Sequence, residues 1–111
     1  MTTAELAPLA PEIIEQQEAE RVLEEARREI DEIDQQRIAL LARRLQLGVI
    51  AGEAKRALKR PVYNGQRENE VVSGYIALAT ELGVPRELAL GEITSTITVS
   101  RNMQMLDKTE V

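Results

Sequence analysis

The stretch that decides the fold is residues 26–58, ARREIDEIDQQRIALLARRLQLGVIAGEAKRAL. It contains no proline, and its apolar residues (Ile30, Ile33, Leu40, Leu41, Leu45, Leu47, Ile50 and Leu58) recur at helical rather than strand spacing. Three cations on this helix matter: Arg27, Arg44 and Lys55. At about 100° per residue, Arg44 and Lys55 fall within about 20° of each other, about 16 Å apart along the axis. Gly48 and Ala51 lie between them on that face, with Gly52 at its edge. Long cations bracketing small residues would leave a hollow suited to a small dianion. Arg27 points about 100° away from Arg44, so one straight helix cannot aim both at a single ligand. A role for Arg27 is more easily played toward a neighbouring subunit.

Composition narrows the chemistry. The chain has 111 residues, the size of one domain, and carries no cysteine and no histidine. Thiolate nucleophiles, disulfides and Cys-based zinc sites are excluded, and so is the commonest general base. Any reaction must use carboxylates, cations, hydroxyls or amides, and the reading expects neither metal nor cofactor. No run reaches the 18 or so apolar residues of a membrane span, and the N-terminus has no signal-peptide pattern, which makes a cytoplasmic location the expectation. The net charge is −5, and the only aromatic residues are Tyr63 and Tyr75. An acidic chain with so few stacking residues is a poor nucleic-acid binder.

Outward from residues 26–58, positions 1–10 read as a loose start, and Pro11 can open a helix. Residues 1–25 form an N-terminal extension, partly helical or disordered, ahead of a helical domain over 26–111. A helix from 11 to 58 would be about 70 Å long. A compact domain of this size has a radius of gyration of roughly 13 Å, so such a helix needs a partner chain, most commonly in a two-fold dimer. Pro61 ends the first helix by disfavouring helical geometry at Arg60. Asn64 is the expected N-cap of a second helix, Gly65 to Leu82, with Val71, Val72, Tyr75, Leu78, Ala79 and Leu82 as its apolar stripe. Gly83 closes it, and Pro85 starts a third helix to about Leu106. The β-branched run Thr94–Val99 also suits a strand, but Leu90, Ile93, Ile97, Ser100 and Gln104 share one helical face, and a lone strand has nothing to pair with. The expected fold is all-α: three helices, the first very long, in an intertwined two-fold dimer.

Ser100 and Gln104 extend an apolar stripe, and Arg67 and Glu68 sit in the first turn of the second helix. With Arg44 and Lys55 they make a set built to bind and orient an anion, with no nucleophile–base pair among them. Taken singly, each has a bland reading. Arg43-Arg44 and Lys55 are ordinary solvated helix residues, and Gly48, Ala51 and Gly52 are more often close helix packing than a ligand hollow. Asn64 is a cap in any case, and Arg67 and Glu68 suit a surface ion pair worth under about 1 kcal/mol. Ser100 and Gln104 fit a surface role least.

In their joint spacing these residues resemble the all-helical chorismate mutases, the small intertwined homodimers. The resemblance runs from about Ala26 to Gln104. It is carried by Arg27-Arg-Glu-Ile-x-x-Ile-Asp34, Arg43-Arg44, Gly-Glu-Ala-Lys55, Arg60-Pro-Val62, Arg67-Glu68 and Ser100-x-x-x-Gln104. It implies conversion of chorismate to prephenate by a Claisen rearrangement, without a cofactor. By position, Arg44 and a cross-dimer Arg27 would clamp substrate carboxylates. Lys55 would bond a carboxylate and the ether oxygen, Gln104 that oxygen from its other side, and Glu68 the ring hydroxyl. Arg67 and Ser100 would line the pocket. Where relatives often carry an aspartate facing the ring hydroxyl, this chain has Asn64, an uncharged acceptor. Arg101, beside Ser100, has no place in the resemblance.

Two sister activities remain as alternatives on the same scaffold: an isochorismate–pyruvate lyase and a mutase of 4-amino-4-deoxychorismate. Glu68 favours the mutase over the lyase because it suits a ring hydroxyl. A cationic amine would prefer a carboxylate at position 64. A third alternative, a non-catalytic helical dimer module, has to explain an unliganded charged hollow.

Overall fold

The computed structural model describes residues 15–109, and these contain three α-helices and no strand. They are α1 (Gln16–Ala57), α2 (Gly65–Glu81) and α3 (Arg86–Thr109). The expected loose start and the helix opening at Pro11 lie outside the described residues. From Gln16 onward the N-terminal extension belongs to α1 itself. Glu18 and Glu25 flank Arg21 one turn before and after it, and the Arg21 guanidinium donates to both. That pairing lowers the Glu18 carboxyl below its ordinary range and suits the acidic first turn of a helix.

The helix ends follow one device used twice. After α1, Arg60 N–H donates to Lys55 O and Lys59 N–H to Arg56 O, while Lys59 adopts φ 58°. After α2, Val84 N–H donates to Ala79 O and Gly83 N–H to Thr80 O, with Gly83 at φ 77°. Each is a Schellman closure with its left-handed residue at the position glycine usually takes. The first helix thus stops at Ala57, three residues before Arg60, and it is the left-handed Lys59 that turns the chain. Asn64 caps α2 as expected: its Oδ1 accepts from Arg67 N–H at 3.1 Å. Pro85 stands just ahead of α3 rather than inside it, its carbonyl accepting from Ala89 N–H.

The threonine-rich run is helical. Thr94, Thr96 and Thr98 each donate a hydroxyl bond to the carbonyl four residues back, at 2.7–2.9 Å. This back-bonding accommodates β-branched threonines in a helix.

By chain contacts the protein divides into two compact units, 1–42 and 43–111, with α1 contributing to both. The second unit holds the core. Among the described residues, Ala89 (1% exposed), Ile93 (3%), Ala79 and Val62 are its buried apolar residues, and no large side chain is completely buried. α2 packs on α3, and Tyr75 reaches Glu92 between them. The expected stripe of α2 is narrower than its periodicity: Ala79 is buried, while Leu78 and Leu82 are each about half exposed. In the first unit nearly every described side chain is exposed, Ile30, Ile33, Ile38 and Leu40 among them. No described helix is long and apolar enough to cross a membrane.

Candidate functional site

The second unit contains a cavity of about 310 Å³. Arg44, Leu47 and Gly48 of α1 form one wall, Arg67, Glu68 and Val71 of α2 another, and Ile97, Ser100, Arg101 and Gln104 of α3 a third; Val62 adds its side chain from the turn before α2. Helical spacing explains each wall. Residues 44, 47 and 48 share a face of α1, as do 97, 100, 101 and 104 on α3.

Glycine lets α1 and α3 approach closely. A Cβ at Gly52 would lie 2.9 Å from Gln104 Cγ, and one at Gly48 would run into Ser100 Oγ. The hollow expected between Arg44 and Lys55 is therefore not an open groove on α1. Ser100 and Gln104 occupy it, and the ligand-sized space opens beside them. Ala51 is exposed and takes no part.

Ser100 and Gln104 are both only 8% exposed. Buried amides need partners, and Gln104 has one in Lys55, whose ammonium donates to Gln104 Oε1 at 3.2 Å and to Val62 O at 2.8 Å. With its oxygen committed to Lys55, the Gln104 amide has its two N–H donors left over. Nε2 lies on the side of the cavity-lining Gly48. The ammonium itself has three donors, of which these bonds use two.

Glu68 and Arg101 form a two-point ion pair across α2 and α3. Arg101 Nε donates to Glu68 Oε2 at 3.0 Å and Nη2 to Oε1 at 2.8 Å. The guanidinium also sits 5.4 Å over the Tyr63 ring, within cation–π range. The hydrogen bonds that Arg101 donates to Glu68, more than the nearby charges, hold its pKa above the ordinary value, so the group stays cationic. Arg44 and Arg67 line the cavity with exposed side chains, Arg67 standing 3.9 Å from Glu70.

Of the residues expected to form a site, Arg44, Arg67, Glu68, Ser100 and Gln104 line this one cavity, and Lys55 stands directly behind Gln104. Asn64 serves as the cap of α2 and is not in the lining, and Arg27 belongs to the other unit. The reading from sequence left Arg101 unplaced and did not include Leu47, Val62, Val71 or Ile97. Arg101 was within reach: it follows Ser100 on the same helix, but nothing in the local pattern signals a partner 33 residues away.

Together these features define an all-helical protein with a small, guanidinium-rich cavity suited to a compact polyanion. A family model described as chorismate mutase type II matches residues 26–105, so the chain belongs to that family.

Proposed function

We propose that the protein is a chorismate mutase, converting chorismate to prephenate, and that it works as an intertwined two-fold homodimer. The observation that carries this reading is the buried Gln104 amide, held by Lys55 with its donors left over beside a cavity lined by three guanidiniums and one carboxylate. Such a site binds and orients an anion, and the rearrangement asks for little else. It is unimolecular: the ether C–O bond breaks as the new C–C bond forms, with no proton transfer and no covalent intermediate.

Arg44, with Arg67 and Ser100 near it, holds substrate carboxylate, and the enolpyruvyl arm is kept over the ring in a reactive conformer. Such positioning is a large part of what an enzyme can supply to a unimolecular step. As the C–O bond stretches, negative charge grows on the ether oxygen. The remaining donors of Lys55 and Gln104 stabilise that charge more than they stabilise the ground state, and this difference is what speeds the reaction. Glu68 accepts from the ring hydroxyl.

The dimer rests on exposure. Ile30, Ile33, Ile38 and Leu40 are 52–67% exposed in the single chain, more apolar surface than a stable monomer carries on one element. A second copy covers it and brings its own Arg27 to the substrate.

The test is product analysis on purified protein given chorismate and isochorismate in parallel. Prephenate from chorismate supports the mutase. Salicylate and pyruvate from isochorismate alone would replace it with the lyase, and turnover of neither would leave the 4-amino-4-deoxychorismate mutase and the helical dimer module.

A further inference from the structure

Among the described residues, Glu68 is the only carboxylate lining the cavity, and both its oxygens are taken up by Arg101. The Glu68 and Arg101 side chains are 25% and 31% exposed, so the pair is partly sheltered from water and from salt. The guanidinium also lies over the Tyr63 ring. A fork of this kind uses one lone pair on each carboxylate oxygen and leaves the others able to accept. The charge of Glu68 is thereby balanced while its capacity to accept a hydrogen bond is retained. Asn64, in the turn before α2, is uncharged, and its Oδ1 is held by Arg67 N–H, while Glu70 stands by the Arg67 guanidinium. Arg44, Arg67 and Arg101 outnumber the single carboxylate, which suits a dicarboxylate but opposes a cationic ring substituent.

We propose that Arg101 is a specificity-determining and positioning residue: its fork on Glu68 selects a neutral hydroxyl over a cationic amine at the ring position that Glu68 faces. The inference deepens the mutase reading and rests on it. Arginine is required rather than any cation, since lysine cannot hold both oxygens in one plane.

The experiment measures kcat and KM of wild type, Arg101→Leu and Arg101→Lys on chorismate and on 4-amino-4-deoxychorismate, with dimer content checked by sedimentation. Wild type strongly prefers chorismate. In Arg101→Leu, kcat/KM for chorismate falls about tenfold to a hundredfold, the range of a charge-assisted hydrogen bond, with most of the loss in kcat. The freed carboxylate pairs with the amine instead, so the preference ratio moves at least about tenfold toward the amino compound. Arg101→Lys, which keeps the charge without the fork, moves the ratio part of the way. It also carries the test if Arg101→Leu does not fold. Equal losses on both substrates, or an unchanged ratio, would mean that Arg101 only holds α2 to α3 and would overturn the inference while leaving the mutase intact. Wild type preferring the amino compound also overturns it. Wild type active on neither removes the mutase reading and the inference together.

Discussion

The N-terminal part of α1, residues 16–42, and the unit that follows it invert the usual relation between polarity and burial. Along 16–42, Leu23, Ile30, Ile33, Ile38 and Leu40 stand 48–67% exposed, and only Val22 is partly covered. In the following unit, two polar side chains, Ser100 and Gln104, are among the most buried. Exposed aliphatics on a long helix are costly unless another surface covers them, at about 1.5–3 kcal/mol per side chain. Buried amides and hydroxyls are costly unless partners meet them. The two departures therefore point to different partners. The apolar one calls for another protein surface, and the polar one for a small ligand with acceptor oxygens.

The comparison can be broken from either side. The largest effect is expected from Ile30→Glu/Ile33→Glu. If these residues are covered in the dimer, the double substitution removes about 3–6 kcal/mol of burial and adds two charges to be desolvated. Sedimentation should then give monomers, with the helical circular dichroism signal largely lost at micromolar concentration. A folded, unchanged dimer would place the interface elsewhere. On the polar side, Lys55→Ala should cost kcat about 10²–10³-fold, as removing one donor to a developing oxyanion does. Dimer content should be kept, while stability falls by about 1–3 kcal/mol because Gln104 Oε1 and the Val62 carbonyl lose their donor. Unchanged turnover in the folded variant would take Lys55 out of the chemistry.

Smaller effects sharpen the picture within the second unit. Gly52→Val should lower stability by about 1–3 kcal/mol in denaturant titrations, because any Cβ there meets the Gln104 side chain. The two Schellman closures make a matched pair. Lys59→Gly relieves a left-handed residue that bears a Cβ, and Gly83→Ala imposes one. Melting curves should therefore shift in opposite directions, each by about 1 kcal/mol.

Much of this was legible in the sequence, because it depends on local physics. The three helices follow from spacing, the α2 start from the Asn64 cap, and the burial of Ser100 and Gln104 from the stripe they extend. What was not legible depends on distance or on backbone conformation. The Glu68–Arg101 fork joins residues far apart in the chain, and no local pattern encodes it. Lys59 in a left-handed conformation carries no residue signature, since glycine or asparagine is what such a position advertises. The Gly48–Gly52 face read equally well as a ligand hollow or as a packing seam. Only the position of α3 decided it, with Gln104 against Gly52 and Ser100 against Gly48. Leu78 and Leu82 continue the periodicity of α2 past the point where this chain alone can cover it.

The central claim is that each site is completed by a second chain, and hybrid dimers test it most directly. Arg27→Ala and Lys55→Ala are each expected to be nearly inactive alone. If Arg27 serves the partner's site, a dimer of one variant with the other has one site carrying both defects and one carrying neither. Mixing equal amounts under conditions that exchange subunits should then restore about a quarter of wild-type activity, from the statistics of a two-fold dimer. Activity that stays at the level of the separate variants would contradict the account, placing Arg27 in its own chain's site or in no site at all.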